Sequence, residues 1–416
     1  MNASIWLRTS LLAGLVLPIL GQDAEPSLKV GGFGTLGLVW NDTDQAEFAR
    51  DTAQPDGVKR DIKGQVDSRL GVQVDGRLAD NLRATLQVVS KYRYDGSYRP
   101  DVTWAFAGWN PRPEVEFRAG RLGIESFMNA DSRDVGYSYL WVRPPVECFG
   151  IIPITRMNGV DLTGTFPMGT NATLRLKGFY GSVAQEQVPL EGYPDLDLAG
   201  DRILGVIAEA QSLSWRWRLA YARFKIRRGF SSPIGDVPAY LDTFANLLGD
   251  PRLRETASAA DFKGATLQWY SLGCAYENGP FQVQAMLNHL DSDRLSIPPS
   301  WAGFASLGYR VGHLVPYVIW SRITSKRETP YVGDLPTVML PDASELAWAV
   351  QQLADANVCD QSTVSAGLRW DFASSADFKI QVDRVRAKVP GSLWQHVQAG
   401  WDGRTTVVTA TVDFTF

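Results

Sequence analysis

The residues of this sequence that could act on a solute are charged side chains at alternate positions of otherwise apolar segments. Between residues 62 and 79, Arg69, Asp75 and Arg77 share one parity, while Leu70 and Val72 share the other. Side chains of a β-strand point to opposite faces in turn, so the charges form one face and the apolar residues the other. Fixed charges across a narrow aqueous gap create a field that orders water and sorts solutes by charge.

A second group of charges lies on and beside the long connection at residues 121 to 155. Its acidic members are Asp131, Asp134 and Glu147, and its basic neighbours are Arg118, Arg121 and Arg156. Arg121 shares parity with Phe117, and Arg156 shares parity with Leu162. Both arginines therefore share the apolar face of their segments. Either a bulge or a strand end turns them to the polar face, or the neighbouring Arg118 is the basic residue of that face.

Residues for bond-breaking chemistry are sparse. The chain has three histidines, His289, His313 and His396, and no GxSxG, HExxH or phosphate-cradling motif accompanies them. The sequence therefore predicts no enzyme, no metal and no cofactor. A barrel enzyme with catalytic residues at its rim is the less favoured alternative.

The three cysteines, Cys148, Cys274 and Cys359, show no CxxC spacing and are too few for a disulfide framework. Cys148 and Cys359 both fall in long connections between predicted strands, at residues 121–155 and 325–360, which we expect on the extracellular side of a membrane protein. A bridge between those two is topologically possible and stays open at this point.

About sixteen segments have the period of two that is typical of strands. They cover residues 28–40, 62–79, 82–95, 101–109, 113–120, 156–166, 171–183, 201–212, 215–227, 262–276, 280–291, 300–310, 313–324, 361–372, 377–387 and 404–416. The last shows the pattern most clearly. Its apolar face is Thr406, Val408, Ala410, Val412, Phe414 and Phe416, and its polar face includes Thr409, Thr411 and Asp413. A charge on a lipid-facing position would cost about 2 to 4 kcal/mol near the midplane, so the polar face must line a wet interior.

The connections alternate between short turns and long loops along the chain. Short turns are predicted near residues 80–81, 110–112, 167–170, 212–214, 277–279, 312 and 374–376. The longest loops are predicted at residues 41–61, 121–155, 184–200, 228–261 and 325–360, with helical spacing at 238–248 and 343–356. Alternation of this kind is typical of a transmembrane antiparallel β-barrel with short turns on one rim and longer loops on the other.

The ends and the composition agree with a barrel. Residues 1 to 21 hold Arg8 and then an apolar stretch at 11–20, which predicts a signal peptide cleaved after Gly21 or Ala24, followed by a single barrel domain at 22–416. Hydrophobic residues make up 45% and charged residues 21%. The formal net charge of −4 gives no general basic surface, so nucleic acid is not an expected partner.

Several short motifs resemble the Gram-negative outer-membrane porin family. KVGGFGTLGL at residues 29–38 resembles the first porin strand, SRLGVQ at 68–73 resembles the second, and the segment ending in Phe416 resembles the last. The resemblance implies a barrel whose third extracellular loop, here 121–155, folds inward and narrows the pore. It places the basic wall at Arg69, Arg121 and Arg156, with Arg118 as the alternative that strand parity offers, and the acidic loop charges at Asp131, Asp134 and Glu147.

What the resemblance implies about function is an outer-membrane diffusion channel for small hydrophilic solutes and ions. A channel specific for sugars, aromatic acids or anions is the alternative, motivated by Tyr137, Tyr139 and Trp141 on the same loop. The expected partners are outer-membrane lipid and lipopolysaccharide, the barrel assembly machinery through Phe416, and two further copies in a homotrimer. Both termini are expected on the periplasmic side.

Overall fold

The structure is a computed structural model that describes residues 27–151, 154–184, 187–190, 193–229, 234–333 and 343–416. The predicted signal peptide at residues 1 to 21 lies outside the described residues and stays a prediction.

Sixteen antiparallel strands form the body of the molecule. They are β1 Ser27–Asn41, β2 Arg69–Ala79, β3 Leu82–Lys91, β4 Asp101–Arg112, β5 Val115–Gly123, β6 Arg156–Met168, β7 Ala172–Val183, β8 Arg202–Ser212, β9 Trp215–Lys225, β10 Thr266–Asn278, β11 Phe281–Ser292, β12 Ser300–Tyr309, β13 Leu314–Ser325, β14 Asp360–Ala373, β15 Ala376–Val389 and β16 Arg404–Thr415. Each pairs with its neighbours in the sequence. The predicted strand count is confirmed.

The sheet closes on itself through β1. One part of β1 pairs with β2, with Ser27 opposite Arg77, and another part pairs with β16, with Phe33 opposite Thr415. Closure satisfies the backbone of every strand edge, which a membrane-spanning sheet requires because lipid offers no hydrogen bonds. The fold is a closed sixteen-stranded barrel, as the sequence predicts.

The two faces of the strands divide as the alternation predicts. On β16 the side chains of Thr409, Thr411 and Asp413 are at most 1% exposed and point inward. On β1 the outward Leu36 and Leu38 are 65% and 59% exposed. An apolar outer face and a polar inner face are the arrangement of a barrel that meets lipid outside and water inside.

Short turns and long loops segregate to opposite rims. The short connections are residues 80–81, 113–114, 169–171, 213–214, 279–280, 310–313 and 374–375, and the long ones include 42–68, 124–155, 226–265 and 326–359. The predicted turn at residues 110–112 is wrong by a few residues, because β4 continues through Pro111 to Arg112. The predicted strand at 62–79 is shorter, since only Ile62–Lys63 pairs before Arg69.

Helices occur only within the connections of the described chain. They are α1 Val146–Phe149, α2 Val237–Leu248, α3 Pro251–Ala260 and α4 Ala343–Asp355. The helical spacing at 238–248 and 343–356 is confirmed, whereas α3 is missed by the sequence pattern. Leu241 of α2, Ala257 of α3 and Val350 of α4 belong to one buried apolar cluster on the long-loop side. Within the described ranges no helix is long and apolar enough to cross a membrane.

Candidate functional site

The connection between β5 and β6, residues 124–155, folds into the barrel and is called the constriction loop below. Its apolar side chains Phe127, Trp141 and Phe149 are at most 5% exposed. A water-exposed loop would leave these rings in solvent, so their burial against the inner wall drives the loop inward.

The wall that receives these rings is apolar. Trp269 of β10 lies 6.4 Å from the ring of Phe127, and Phe304 of β12 lies 5.3 Å from the ring of Trp141 and 6.0 Å from that of Phe149. The inward residues of β8 to β13 continue this surface; they include Ile203, Ile207, Ala222, Phe224, Met286, Ala302, Ile319 and Ile323. We call this surface the apolar sector.

The start of the loop is held by a carboxylate among cations. Glu125 accepts a hydrogen bond from Lys177 at 2.5 Å and forms ion pairs with Arg118, Arg175 and Arg218 at 3.2 to 3.5 Å. Burial alone would raise the pKa of Glu125, but the surrounding cations hold this pKa well below its usual range. Glu125 is therefore an ionised anchor that fixes the loop to β5, β7 and β9.

The middle of the loop contacts β2 and β3. Asp134 accepts a hydrogen bond from Lys91 at 2.9 Å, and Arg69 lies 3.9 Å from the same carboxylate oxygen. Arg69 is 5% exposed, and its Nε donates to the Thr35 hydroxyl at 3.4 Å. Burial raises the pKa of Asp134, but Lys91 and the nearby arginines overcome this and lower it.

Gly136 brings the loop backbone against the wall. Its carbonyl accepts a hydrogen bond from Lys379 at 2.8 Å, and a Cβ at this position would lie 1.9 Å from the Asp413 carboxylate. Only glycine fits this approach. Arg369 extends the contact by donating to the carbonyls of Tyr137 and Tyr139 at 3.0 and 2.6 Å.

Arg143 joins the loop to both sides of the β1–β16 closure. Its guanidinium pairs with Asp67 at 2.8 Å and with Asp383 of β15 at 3.3 Å, and it also donates to Thr409. Arg143 and Asp67 are at most 3% exposed. Such a buried set is stable only while all members are present, because any charge left alone is poorly solvated.

Glu147 fixes the returning arm of the loop. Ser321 and Gln361 each donate to its carboxylate at 2.8 Å, and Thr363 donates as well. At 1% exposure Glu147 faces the wall of β13 and β14 rather than an open channel. The expectation that it is an acidic charge facing the solute is corrected to an anchoring position.

Two of the predicted basic residues also lie elsewhere. Arg121 donates to the Asn158 side chain at 3.0 Å, and Asn158 is outward and exposed, while Arg156 pairs with Asp101 near the long-loop rim. Both arginines share the outward phase of their strands, so their expected place on the lumen wall is wrong. No bulge resets the phase at either residue.

The structure does bring Arg69 together with Asp134, and it brings Arg118 to Asp161 and Glu125. Asp131 lies on the loop three residues before Asp134 and is partly exposed. The roles of these four residues in a constriction stay predictions.

A group of partly exposed lumen charges lies on β3, β5 and β7 and on the constriction loop. Those on the wall are Arg83, Lys91, Glu116, Arg118 and Arg175, and those on the loop are Asp131, Arg133 and Asp134. We call them the exposed charge set. Its wall members belong to β3, β5 and β7 and are mainly basic, and two of its three loop members are acidic.

Other expectations for the loop are resolved by burial. Tyr139 and Trp141 are each 2% exposed and their rings stack 5.9 Å apart, so they pack the loop instead of forming an aromatic path.

The Cys148–Cys359 bridge that the sequence left open is not formed, since all three cysteines are free. Burial raises the pKa of the Cys359 thiol to about 11.

Sequence reasoning missed Glu125, which holds the start of the loop, and Arg143, which holds its second half. Both stand in apolar surroundings, Glu125 within IESFM and Arg143 within LWVRPP. A charge flanked by large apolar side chains is the available signal, because such a charge is buried with its neighbours and must be paired.

No family profile and no curated protein matches the sequence. Solved structures do match. An outer membrane protein of Vibrio cholerae, OmpT in its trimer form, is 12% identical over 94% of this chain and 99% of its own, with a TM-score of 0.54. The barrel has the porin fold. OmpF of Salmonella typhi in complex with daunomycin is 12% identical over 94% of this chain and 97% of its own, with a TM-score of 0.55. The outer membrane channel DcaP of Acinetobacter baumannii is 12% identical over 96% of this chain and 100% of its own, with a TM-score of 0.50.

Proposed function

We propose that this protein is a passive channel that conducts small hydrophilic solutes and ions across the outer membrane. The observation that carries the proposal is a closed barrel with an apolar outer face and an inner wall with partly exposed charges. Charges that water reaches inside a lipid-facing barrel have no role in holding the barrel in the membrane. They fit a wet path instead.

We infer that the path runs along the wall members of the exposed charge set, beside the Lys91–Asp134 contact that joins the wall to the middle of the constriction loop. Arg83, Lys91 and Arg175 have side chains that are 37%, 33% and 31% exposed. Asp131 and Asp134 lie on the loop, so the wall is mainly basic and the loop mainly acidic there. This separation supports a transverse field of the kind that sorts solutes by charge and dipole.

We favour transport over catalysis. His289 is on the outward face, where its ring stacks 4.2 Å from the ring of Trp301 and its Nδ1 lies 3.0 Å from the Ser300 carbonyl oxygen. An aromatic stack at this position suits a membrane interface. His313 belongs to the short turn at residues 310–313, where its carbonyl oxygen accepts a hydrogen bond from the Asp371 amide.

We infer the membrane orientation and the oligomeric state of the channel by comparison with other barrels. We place the short turns and both ends of the barrel on the periplasmic side and the long loops outside, as in bacterial outer-membrane barrels. We expect a homotrimer, and the trimer form of the Vibrio cholerae barrel supports this.

The proposal is tested with the folded, purified barrel in planar bilayers and in liposomes. Stepwise conductance is expected, together with liposome swelling in sugars that declines smoothly as the sugar becomes larger. The matched control is the same protein unfolded by heating before addition. A folded barrel that gives neither conductance nor swelling would overturn the proposal, and turnover of lipid or peptide abolished by one histidine substitution would favour an enzyme.

A further inference from the structure

Two loops at the long-loop rim bring together three side chains that can bind a metal ion. Glu47 and Asp56 belong to the connection between β1 and β2, and His396 belongs to the connection between β15 and β16. One donor atom from each residue lies within 4.8 Å of the other two. None of these residues takes part in the constriction described above.

The donors are oriented by hydrogen bonds behind them. Glu47 Oε2 lies 3.1 Å from His396 Nδ1 and accepts a hydrogen bond from the Gly57 amide at 2.9 Å. The Tyr92 hydroxyl donates to Asp56 Oδ2 at 2.8 Å. Outer hydrogen bonds of this type hold ligands at the geometry that a metal needs.

The backbone fixes the spacing between the two loops. Residues Glu47–Phe48 pair with Trp394–Gln395, directly before His396, and Phe48 also bridges to Val58, two residues after Asp56. The three ligands are therefore placed by local sheet pairing, and binding would need little further ordering.

We propose that Glu47, Asp56 and His396 form a site for a divalent first-row transition ion such as Zn²⁺. One imidazole nitrogen and two carboxylates suit zinc, which takes three protein ligands and a water in its open sites. Two bonds of about 2.0 to 2.1 Å at the tetrahedral angle place their donor atoms about 3.3 to 3.4 Å apart, so the 3.1 Å separation of His396 Nδ1 and Glu47 Oε2 has to widen by only about 0.2 to 0.3 Å to admit the ion.

Lys59 is the competing cation. Its Nζ lies 3.1 Å from Glu47 Oε1, whereas His396 contacts Oε2 of the same carboxylate, and the Lys59 side chain is 38% exposed. A flexible, half-exposed lysine can turn to water when the ion binds. Replacing it by methionine removes the competition and strengthens binding.

The site is connected to the constriction through one aromatic side chain. Phe48 follows Glu47 directly, the Arg143 guanidinium lies 4.7 Å from its ring centroid, and the Trp394 ring lies 5.7 Å away. An ion that fixes Glu47 against His396 therefore also stiffens the contact that supports Arg143. The inference does not depend on the proposed function.

The test is a titration of the folded, tag-free barrel in detergent with zinc chloride, followed by calorimetry. Wild type is expected to bind one Zn²⁺. His396→Ala and Asp56→Asn should weaken binding by more than tenfold, and Tyr92→Phe, which removes only the outer hydrogen bond, by roughly tenfold. His313→Ala is the matched control, because it removes another histidine and leaves the site intact.

Equal zinc affinity in wild type and His396→Ala would overturn the inference, as would no binding by wild type up to about 1 mM. Loss of binding in His313→Ala but not in His396→Ala would place the ion elsewhere and would also overturn it. Where His396→Ala lacks the wild-type circular dichroism spectrum, Tyr92→Phe and Lys59→Met decide: unchanged affinity in both contradicts the site.

Discussion

The constriction loop meets two very different walls inside one barrel. On the apolar sector, β8 to β13, rings of the loop pack against Trp269 and Phe304. Ion pairs of Glu125, Asp134 and Arg143 hold the loop mainly to the remaining wall, and Glu125 also pairs with Arg218 of β9. The apolar contacts are non-directional and supply burial, whereas the ion pairs require each partner at its position and set where the loop lies.

The difference teaches how one loop can be both firmly docked and adjacent to water. The apolar sector buries large apolar side chains against the loop, whereas the wall members of the exposed charge set lie on β3, β5 and β7. The open path is therefore expected where charge, and not packing, holds the loop.

Removing Arg143 is expected to have the largest effect. Arg143→Ala leaves Asp383 buried without its cation and Asp67 with Arg50 alone, which should destabilise the docked loop by about 3 kcal/mol. Thermal unfolding and single-channel conductance measure this as a lower Tm and a larger, noisier current. Arg60→Ala is the control, since the Arg60 side chain is exposed and bonds to a carbonyl of Asp42. Equal Tm values for the two variants would contradict the anchoring role of Arg143.

A substitution at the apolar sector should also destabilise the docked loop, by no more than Arg143→Ala does. Phe149→Ala removes a ring packed 4.7 Å from Phe127 and leaves a cavity, at a cost of about 3 kcal/mol. The variant should lower Tm while the ratio of cation to anion permeability stays as in wild type. A changed ratio would show that the two walls do not act separately.

The ion pairs of the loop should keep it docked down to a certain pH, below which the docking is lost. The folded pKa values of Glu125 and Asp134 are lowered, so their stabilisation is present above the ordinary carboxyl pKa of about 4 and is lost as pH falls through the folded values. Conductance should therefore be constant from pH 7 to about 5 and change only in stronger acid. Glu125→Gln should flatten the acid response. A response centred near pH 6 would contradict this assignment.

The sequence predicts the barrel well because strand alternation is local. The parity of neighbouring residues assigns the outer and inner faces of β2, β14 and β16. The lengths of the connections distinguish the short-turn rim from the long-loop rim. The loop contacts cannot be obtained this way, because Arg143 meets Asp383 across 240 residues of chain. Arg121 and Arg156 were placed by resemblance against their own parity, and the parity was right.

The rates at which the buried cysteines react with a thiol reagent should report release of the loop, with a smaller effect than the variants above. Burial raises the pKa of Cys148 and Cys359, so a maleimide should modify them much more slowly than an unfolded control. Cys148 lies on the returning arm of the loop, and Arg143→Ala should accelerate its labelling more than that of Cys359. Equal acceleration of both thiols would indicate general unfolding and not release of the loop.

Charge reversal at Arg175 tests the proposed solute path most directly, with Arg121 as the outward control. The Arg175 side chain is 31% exposed inside the barrel, whereas Arg121 bonds to the outward Asn158. The reversal potential in a salt gradient should shift toward cation preference in Arg175→Glu and stay at the wild-type value in Arg121→Glu. A shift of equal size in both variants, or in neither, would contradict a path along β3, β5 and β7.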